Sequence, residues 1–215
     1  MTALRKQAAR WWKRLTGAGA ESAEPWVQAV RTADAEFDQR HGVDTGGIVE
    51  LHRLDVVGDN RRHGVKHVAI LPAEFDAALS ALPWPVVGST FVDVGCGKGR
   101  ALLLAARQPF TRLVGLDFAP ALIDAARRNT RALGVPVELH CADAAGFQFP
   151  PGPLVIYLYN PFGPAVMDAV ARHAAEATGP VQVMYLNPFQ EGSWLAAGFK
   201  VAARGPTFAI YTREG

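Results

Sequence analysis

The residues best suited to holding a ligand lie between Thr90 and Arg107, which read TFVDVGCGKGRALLLAAR. Phe91-Val92-Asp93-Val94 is a short apolar run of strand type carrying one acid, and the chain from Arg100 on is Ala/Leu-rich and helical. Gly95-Cys96-Gly97-Lys98-Gly99 joins them. Three alternate glycines at a strand-to-helix turn permit positive φ and let a ligand lie against main-chain N–H groups at a helix N-terminus. The spacing is neither the Gly-x-Gly-x-x-Gly of a dinucleotide fingerprint nor the Gly-Lys-Ser/Thr of a P-loop. Asp93 would also set a carboxylate where a pyrophosphate carries its charge, so the turn suits a cation.

With Asp93, Gly95, Gly97 and Gly99 in the pattern Asp-x-Gly-x-Gly-x-Gly, the chain resembles the class I S-adenosylmethionine-dependent methyltransferases. The resemblance continues through LVGLDFAPALIDAARRN, where Asp117 ends a second strand and Ala119-Pro120 opens a helix, and it covers roughly residues 86–212. It implies S-adenosylmethionine as cofactor, Asp117 on the ribose hydroxyls, and Asp143 of the Asp143-Ala144 pair on the adenine amino group. The implied cofactor-binding set is Asp93, Gly95, Cys96, Gly97, Gly99, Asp117, Phe118, Asp143, Ala144 and Asn160.

Asn160-Pro161-Phe162, ending the run VIYLYNPFG, bears on the reaction. It resembles the Asn/Asp-Pro-Pro-aromatic motif of amino-group methyltransferases, with Phe162 where the second proline would stand. A sulfonium carries an already activated methyl group, so the protein has mainly to place a nucleophile in line with it, which can supply up to about 7–11 kcal/mol. An amide oxygen on Asn160 and the carbonyl of Pro161 are acceptors for an N–H2 group, and Phe162 offers a packing face or a cation–π partner. An amide is no general base, and an oxygen nucleophile would usually want a His or carboxylate beside the motif. These three residues are therefore the expected catalytic group, acting on an amino nitrogen of a protein side chain or small molecule. The same stretch with the glycine turn, and nothing more of the chain, resembles the non-SET histone-lysine methyltransferases; the N-terminal region does not match them. Two other readings stand beside this one: a nucleic-acid methyltransferase, and a cofactor-binding scaffold without catalysis.

The elements that must position these groups follow from the pattern. Strands at 90–94, 111–116, 136–141, 153–159 and 180–186 alternate with helices at 99–108, 120–133, 164–177 and 190–197, which predicts a doubly wound, mostly parallel sheet. Strands at 199–204 and 207–212 have only Gly205-Pro206 between them and must pair antiparallel. The expected fold is α/β, a seven-stranded sheet with a reversed last strand. Ligands of such sheets lie at the carboxyl ends of the strands, where Asp93, Asp117, Asp143, Asn160 and the second Asn187-Pro188-Phe189 all fall.

Residues 1–85 read as an N-terminal cap on a methyltransferase domain at 86–215. The cap should contain a helix from Glu24 to Arg40, a turn-rich segment at 41–47 that is a candidate lid, a strand at 48–57 and a helix from Pro72 to about Leu82. Within residues 1–16, Arg5, Lys6, Arg10, Lys13 and Arg14 face no acids, while Trp11, Trp12 and Leu15 supply an apolar side. This predicts a basic helix that packs on the domain or contacts nucleic acid or a membrane surface.

Composition excludes several classes. At 215 residues with a net charge of +2, the chain has room for one α/β domain with an appended segment. No apolar run approaches the roughly 18 residues of a membrane span, and the start lacks a secretory signal's apolar stretch, so the protein is expected in the cytoplasm. Two cysteines make no disulfide framework, and six histidines show no metal-ligand spacing. Cys96 fills the turn as a small residue, and Cys141 is expected in the core.

Overall fold

The structure is a computed structural model that describes residues 25–215. The basic helix expected at 1–16 and the linker after it lie outside the described residues. Helix α1 spans Pro25–His41 and α2 spans Pro72–Ser80. The order then runs β1 (Thr90–Val94), α3 (Arg100–Ala105), β2 (Arg112–Asp117), α4 (Pro120–Ala132), β3 (Glu138–Cys141), β4 (Leu154–Tyr159), α5 (Pro164–Glu176), β5 (Val181–Leu186), α6 (Glu191–Ala196), β6 (Lys200–Arg204) and β7 (Phe208–Arg213).

The strands form one seven-stranded sheet in the order β3-β2-β1-β4-β5-β7-β6. β1 to β5 run parallel, whereas β7 lies antiparallel to both β5 and β6. This is the expected α/β sheet with a reversed last strand.

Because successive strand residues face opposite sides, each buried strand feeds two cores. Val92, Ile156, Val183 and Tyr211 pack on one face against Met167 and Val170 of α5 and Trp194 of α6. Phe91, Val155, Met184 and Ile210 pack on the other against Leu102 of α3, Ile123 of α4, and Phe75 and Ala78 of α2. The Phe75 ring lies 6.0 Å from Phe91 and 5.7 Å from Tyr157, so α2 belongs to the helical layer although it precedes residue 86.

Two expectations fail. The strand at 48–57 is absent: Val49 makes a single antiparallel bridge to His67, and the chain then turns into a 3-10 helix at Leu51–Arg53. No strand among the described residues lies beside it, and its apolar residues are satisfied instead by a small cluster in which Leu54, Val49 and Val56 cover Ala119, Leu122 and Phe118. Cys141 is exposed, because β3 is the edge strand of the sheet.

Candidate active site

A cleft opens at the carboxyl ends of β1, β2 and β4 and encloses about 690 Å³ including its mouth. Gly95, Asp117, Phe118, Asp143, Ala144, Pro161 and Phe162 line it, as do Leu54, Asn60, Lys66 and His67 from the N-terminal region. The sheet topology explains the convergence: β2, β1 and β4 are neighbours, so their loops meet at one edge.

Asp117 ends β2 and is tied to the glycine turn. Its Oδ2 accepts from the Gly97 N–H at 2.9 Å and its Oδ1 from the Ala119 N–H at 2.9 Å. Burial nevertheless pushes its pKa up to about 6, with those bonds holding it lower than burial alone would. Asp143 accepts from the Ala145 N–H and from the Asn60 amide, at 2.9 and 2.7 Å. Phe118, Leu122 and Leu54 give the space between these acids apolar walls.

This arrangement fits S-adenosylmethionine. A carboxylate raised by burial has unused acceptor capacity for hydroxyl donors, and the second carboxylate stands beside an apolar slot suited to a flat base. The glycine turn approaches its neighbours too closely for a side chain. Gly97 has φ of 53°, and a Cβ there would stand 2.2 Å from Nδ1 of His67.

Other expected residues lie elsewhere. Asp93 is 2% exposed and outside the cleft lining, and burial followed by the charge of Asp117 pushes its pKa well up. Cys96 is buried behind the turn, its thiol pushed well up by burial. Gly99 abuts Ala126 of α4, 3.2 Å from where its Cβ would be. Asn160 is 1% exposed; its Oδ1 accepts from the Tyr185 hydroxyl at 3.2 Å, while its Nδ2 is buried without a partner among the described residues. Pro161 and Phe162 reach the cleft, and the Asn160 amide turns toward the core.

The N-terminal region contributes what sequence reading did not foresee. From Val57 to His67 the chain straps the mouth of the cleft. The Val57 N–H donates to the Phe118 carbonyl at 2.8 Å, Gly64 bridges Phe162, and the Gly163 N–H donates to the His63 carbonyl at 2.7 Å. Gly64 permits the crossing: a Cβ there would meet the Phe118 ring at 2.6 Å.

The segment at 41–47 is bolted down. Arg100, buried at the start of α3, donates to Thr45 Oγ1 and to Asp34, Asp38 and the Ile70 carbonyl, and stacks over the Phe37 ring. Asp38 in turn accepts from the N–H groups of Thr45 and Gly46. Lys98 donates to Asp44 and the Gly46 carbonyl. No single periodicity in the sequence could announce these partners, which lie up to 66 positions apart.

No helix among the described residues is long and apolar enough to cross a membrane. No cluster of three or more His, Cys, Asp or Glu suited to a metal occurs among them.

Residues 91–182 match the methyltransferase domain family. The chain is 38% identical over 78 residues to the demethylmenaquinone methyltransferase of Thermus thermophilus, covering 36% of this chain and 33% of that one. It is 29% identical over 117 residues to the aklanonic acid methyltransferase DauC of a Streptomyces species, covering 51% and 53%. The chain thus spans about a third to a half of the length of the curated relatives it matches. The structure of the T. thermophilus 16S rRNA N2 G1207 methyltransferase superposes with a TM-score of 0.54 at 19% identity, over 75% of this chain and 50% of that one. The sheet order, the Asp93 to Gly99 turn and this domain match agree: the chain carries a class I S-adenosylmethionine-dependent methyltransferase domain.

Proposed function

We propose that the protein transfers a methyl group from S-adenosylmethionine to an amino nitrogen of a small molecule held in the strapped cleft. The observation that carries the small-molecule part is the Gly64–Phe162 bridge, which brings the strap's backbone against Phe162 and makes the site a cleft rather than a flat surface. Two relatives whose names specify small molecules, demethylmenaquinone and aklanonic acid, accord with this.

The cofactor, when bound, supplies the activated methyl group. The chain's own part is placement. Asp117 and Asp143 receive hydroxyl and amino donors, Phe118 and Leu122 wall the base, and Pro161 and Phe162 flank the acceptor. Nitrogen is favoured because the titrating groups around the cleft are committed elsewhere: Asp117, at about 6, is taken up by the cofactor's hydroxyls, Asp93 is buried away from the cleft, and burial holds His67 down to about 4, too low for an efficient base near neutrality. An amine that is neutral at the working pH needs no base before attack. With the Asn160 amide on Tyr185, orientation of that amine falls to Pro161 and Phe162. The nucleic-acid alternative rests on residues 1–16, outside the described residues, and on the Asn160-Pro161-Phe162 motif, which it shares with the amine reading.

Calorimetry with S-adenosylhomocysteine should show one site, weakened by about 1.5–3 kcal/mol in Asp117→Ala. Labelled cofactor offered with panels of amines, phenols and RNA should mark the amines alone. Unchanged affinity in the variant removes Asp117 from the site, and labelling of RNA or phenols replaces the acceptor assignment.

A further inference from the structure

We propose that His67, from the strap and outside the matched domain, is a cofactor-binding residue whose Nδ1 accepts a hydrogen bond from the ammonium of the cofactor's aminoacyl end. This rests on the cofactor reading above. His67 lines the cleft and stands over the glycine turn, its Nδ1 2.2 Å from where a Cβ of residue 97 would be. Gly97 must therefore be glycine for the ring as much as for any ligand.

The ring's tautomer follows from its other contact. His67 Nε2 lies 3.3 Å from the Thr45 carbonyl oxygen. A carbonyl only accepts, so Nε2 carries the proton, and in a neutral ring Nδ1 is left with its lone pair. No hydrogen bond reaches Nδ1 among the described residues. Burial keeps the ring neutral, aided by Lys98 and Arg100. Those two cations are themselves engaged, Lys98 by Asp44 and Arg100 by Asp34 and Asp38, and do not compete for Nδ1.

The ring is held in this pose from both sides. Its backbone N–H and carbonyl pair with Val49 at 2.9 and 3.1 Å, and Thr45 is fixed by Asp38 and Arg100. A neutral acceptor that is fixed, desolvated and aimed at a glycine turn suits a positively charged donor, and a charge-assisted bond is the stronger kind. The ammonium is the one such donor on this cofactor with N–H groups, since the sulfonium has none.

The test compares two ligands by calorimetry: S-adenosylhomocysteine, which has the aminoacyl end, and 5′-methylthioadenosine, which lacks it. His67→Phe keeps a ring without an acceptor, and His67→Asn sets an amide oxygen near the place of Nδ1. His67→Phe should weaken S-adenosylhomocysteine roughly tenfold or more and leave 5′-methylthioadenosine unchanged, with His67→Asn retaining most of the affinity. Equal weakening of both ligands would show packing alone, and tightening would show that the ring obstructs the site; either overturns the assignment, as does no change. A wild type that binds neither ligand overturns the cofactor reading itself.

Discussion

The chain uses the tripeptide Asn-Pro-Phe twice, at 160–162 and 187–189, each time just after one of two adjacent parallel strands, β4 and β5. The backbones agree: Asn160 and Asn187 take left-handed φ of 43° and 49°, which asparagine tolerates better than most residues. The surroundings do not agree. Phe162 is 8% exposed, bridges the strap at Gly64 and lines the cleft, whereas Phe189 is half-buried, outside the cleft lining, its N–H donating to Asn187. Local sequence sets the turn in both places, and what crosses above it decides whether the turn becomes part of a site. The strap does so at one copy only.

Detaching the strap's foundation should break the contrast most severely. Arg100→Met removes the cation and leaves Asp34, which is 4% exposed, without its counter-ion, though the Gly47 N–H still donates to its Oδ2. Loss of one member of a buried pair costs about 3–5 kcal/mol, read as a fall in the urea midpoint. Removing Asp34 in the same variant should recover part of that loss.

Asp117, beneath the strap, gives the next effect. Its folded pKa of about 6 lies above the unfolded 3.8, so the folded state binds the proton more tightly. The associated stability is fully present below about pH 4 and is lost as pH rises through 6, by about 3 kcal/mol at 1.36 kcal/mol per unit. His67, which burial holds down to about 4, adds stability over the same window, so the fall is read as a difference: unfolding of the ligand-free protein measured from pH 4 to 7 should show the wild type losing about 3 kcal/mol relative to Asp117→Asn. Parallel profiles in the two proteins would assign the titration to another group.

A smaller contrast separates Gly64 from Gly192, which lies in α6 just after the second tripeptide. Gly64→Ala drives a methyl into the Phe118 ring and should cost about 1–3 kcal/mol. Gly192→Ala meets nothing within 4 Å and, inside a helix, should gain about 0.5–1 kcal/mol. Thermal melts of both variants measure how little room the Phe118 ring leaves for a methyl at Gly64.

These tests also mark where sequence reading reached. β1, β2, β4 and β5 were legible because buried parallel strands are short apolar runs separated by long crossovers; β1 appeared at its observed ends, Thr90 and Val94. That Asp117, Phe118 and Asp143 would meet at one cleft was legible because a family motif fixes them relative to strand ends. The strap was not. Residues 48–57 alternate as a strand would, yet alternation states only which residues seek burial, and Leu54 found it against Ala119 and Leu122 without a strand partner. Asn60 and His67 belong to turns with no period, and each acquires its role from a residue 83 or 22 positions away. The direction of the Asn160 side chain was not legible for a related reason: a motif places a residue at a strand end, but the left-handed turn and the Tyr185 hydroxyl decide which way its amide faces.

The smallest prediction returns to the two asparagines, since they share a backbone and differ only in side-chain company. Glycine accepts left-handed φ without strain but raises the entropy of the unfolded chain, and at Asn187 these opposing effects should cancel to within about 0.5 kcal/mol. At Asn160 the same change also takes the acceptor from the Tyr185 hydroxyl, which is buried and receives the Gln190 N–H on its oxygen. That loss should cost about 1 kcal/mol more, seen as a lower urea midpoint at unchanged slope. Affinity for S-adenosylhomocysteine should hold in both variants, because neither amide lines the cleft. Equal stability losses would mean that the Tyr185 bond contributes nothing and that Asn160 is only a turn. A loss of cofactor affinity confined to Asn160→Gly would return its amide to the active site, with Tyr185 as the group that holds it there.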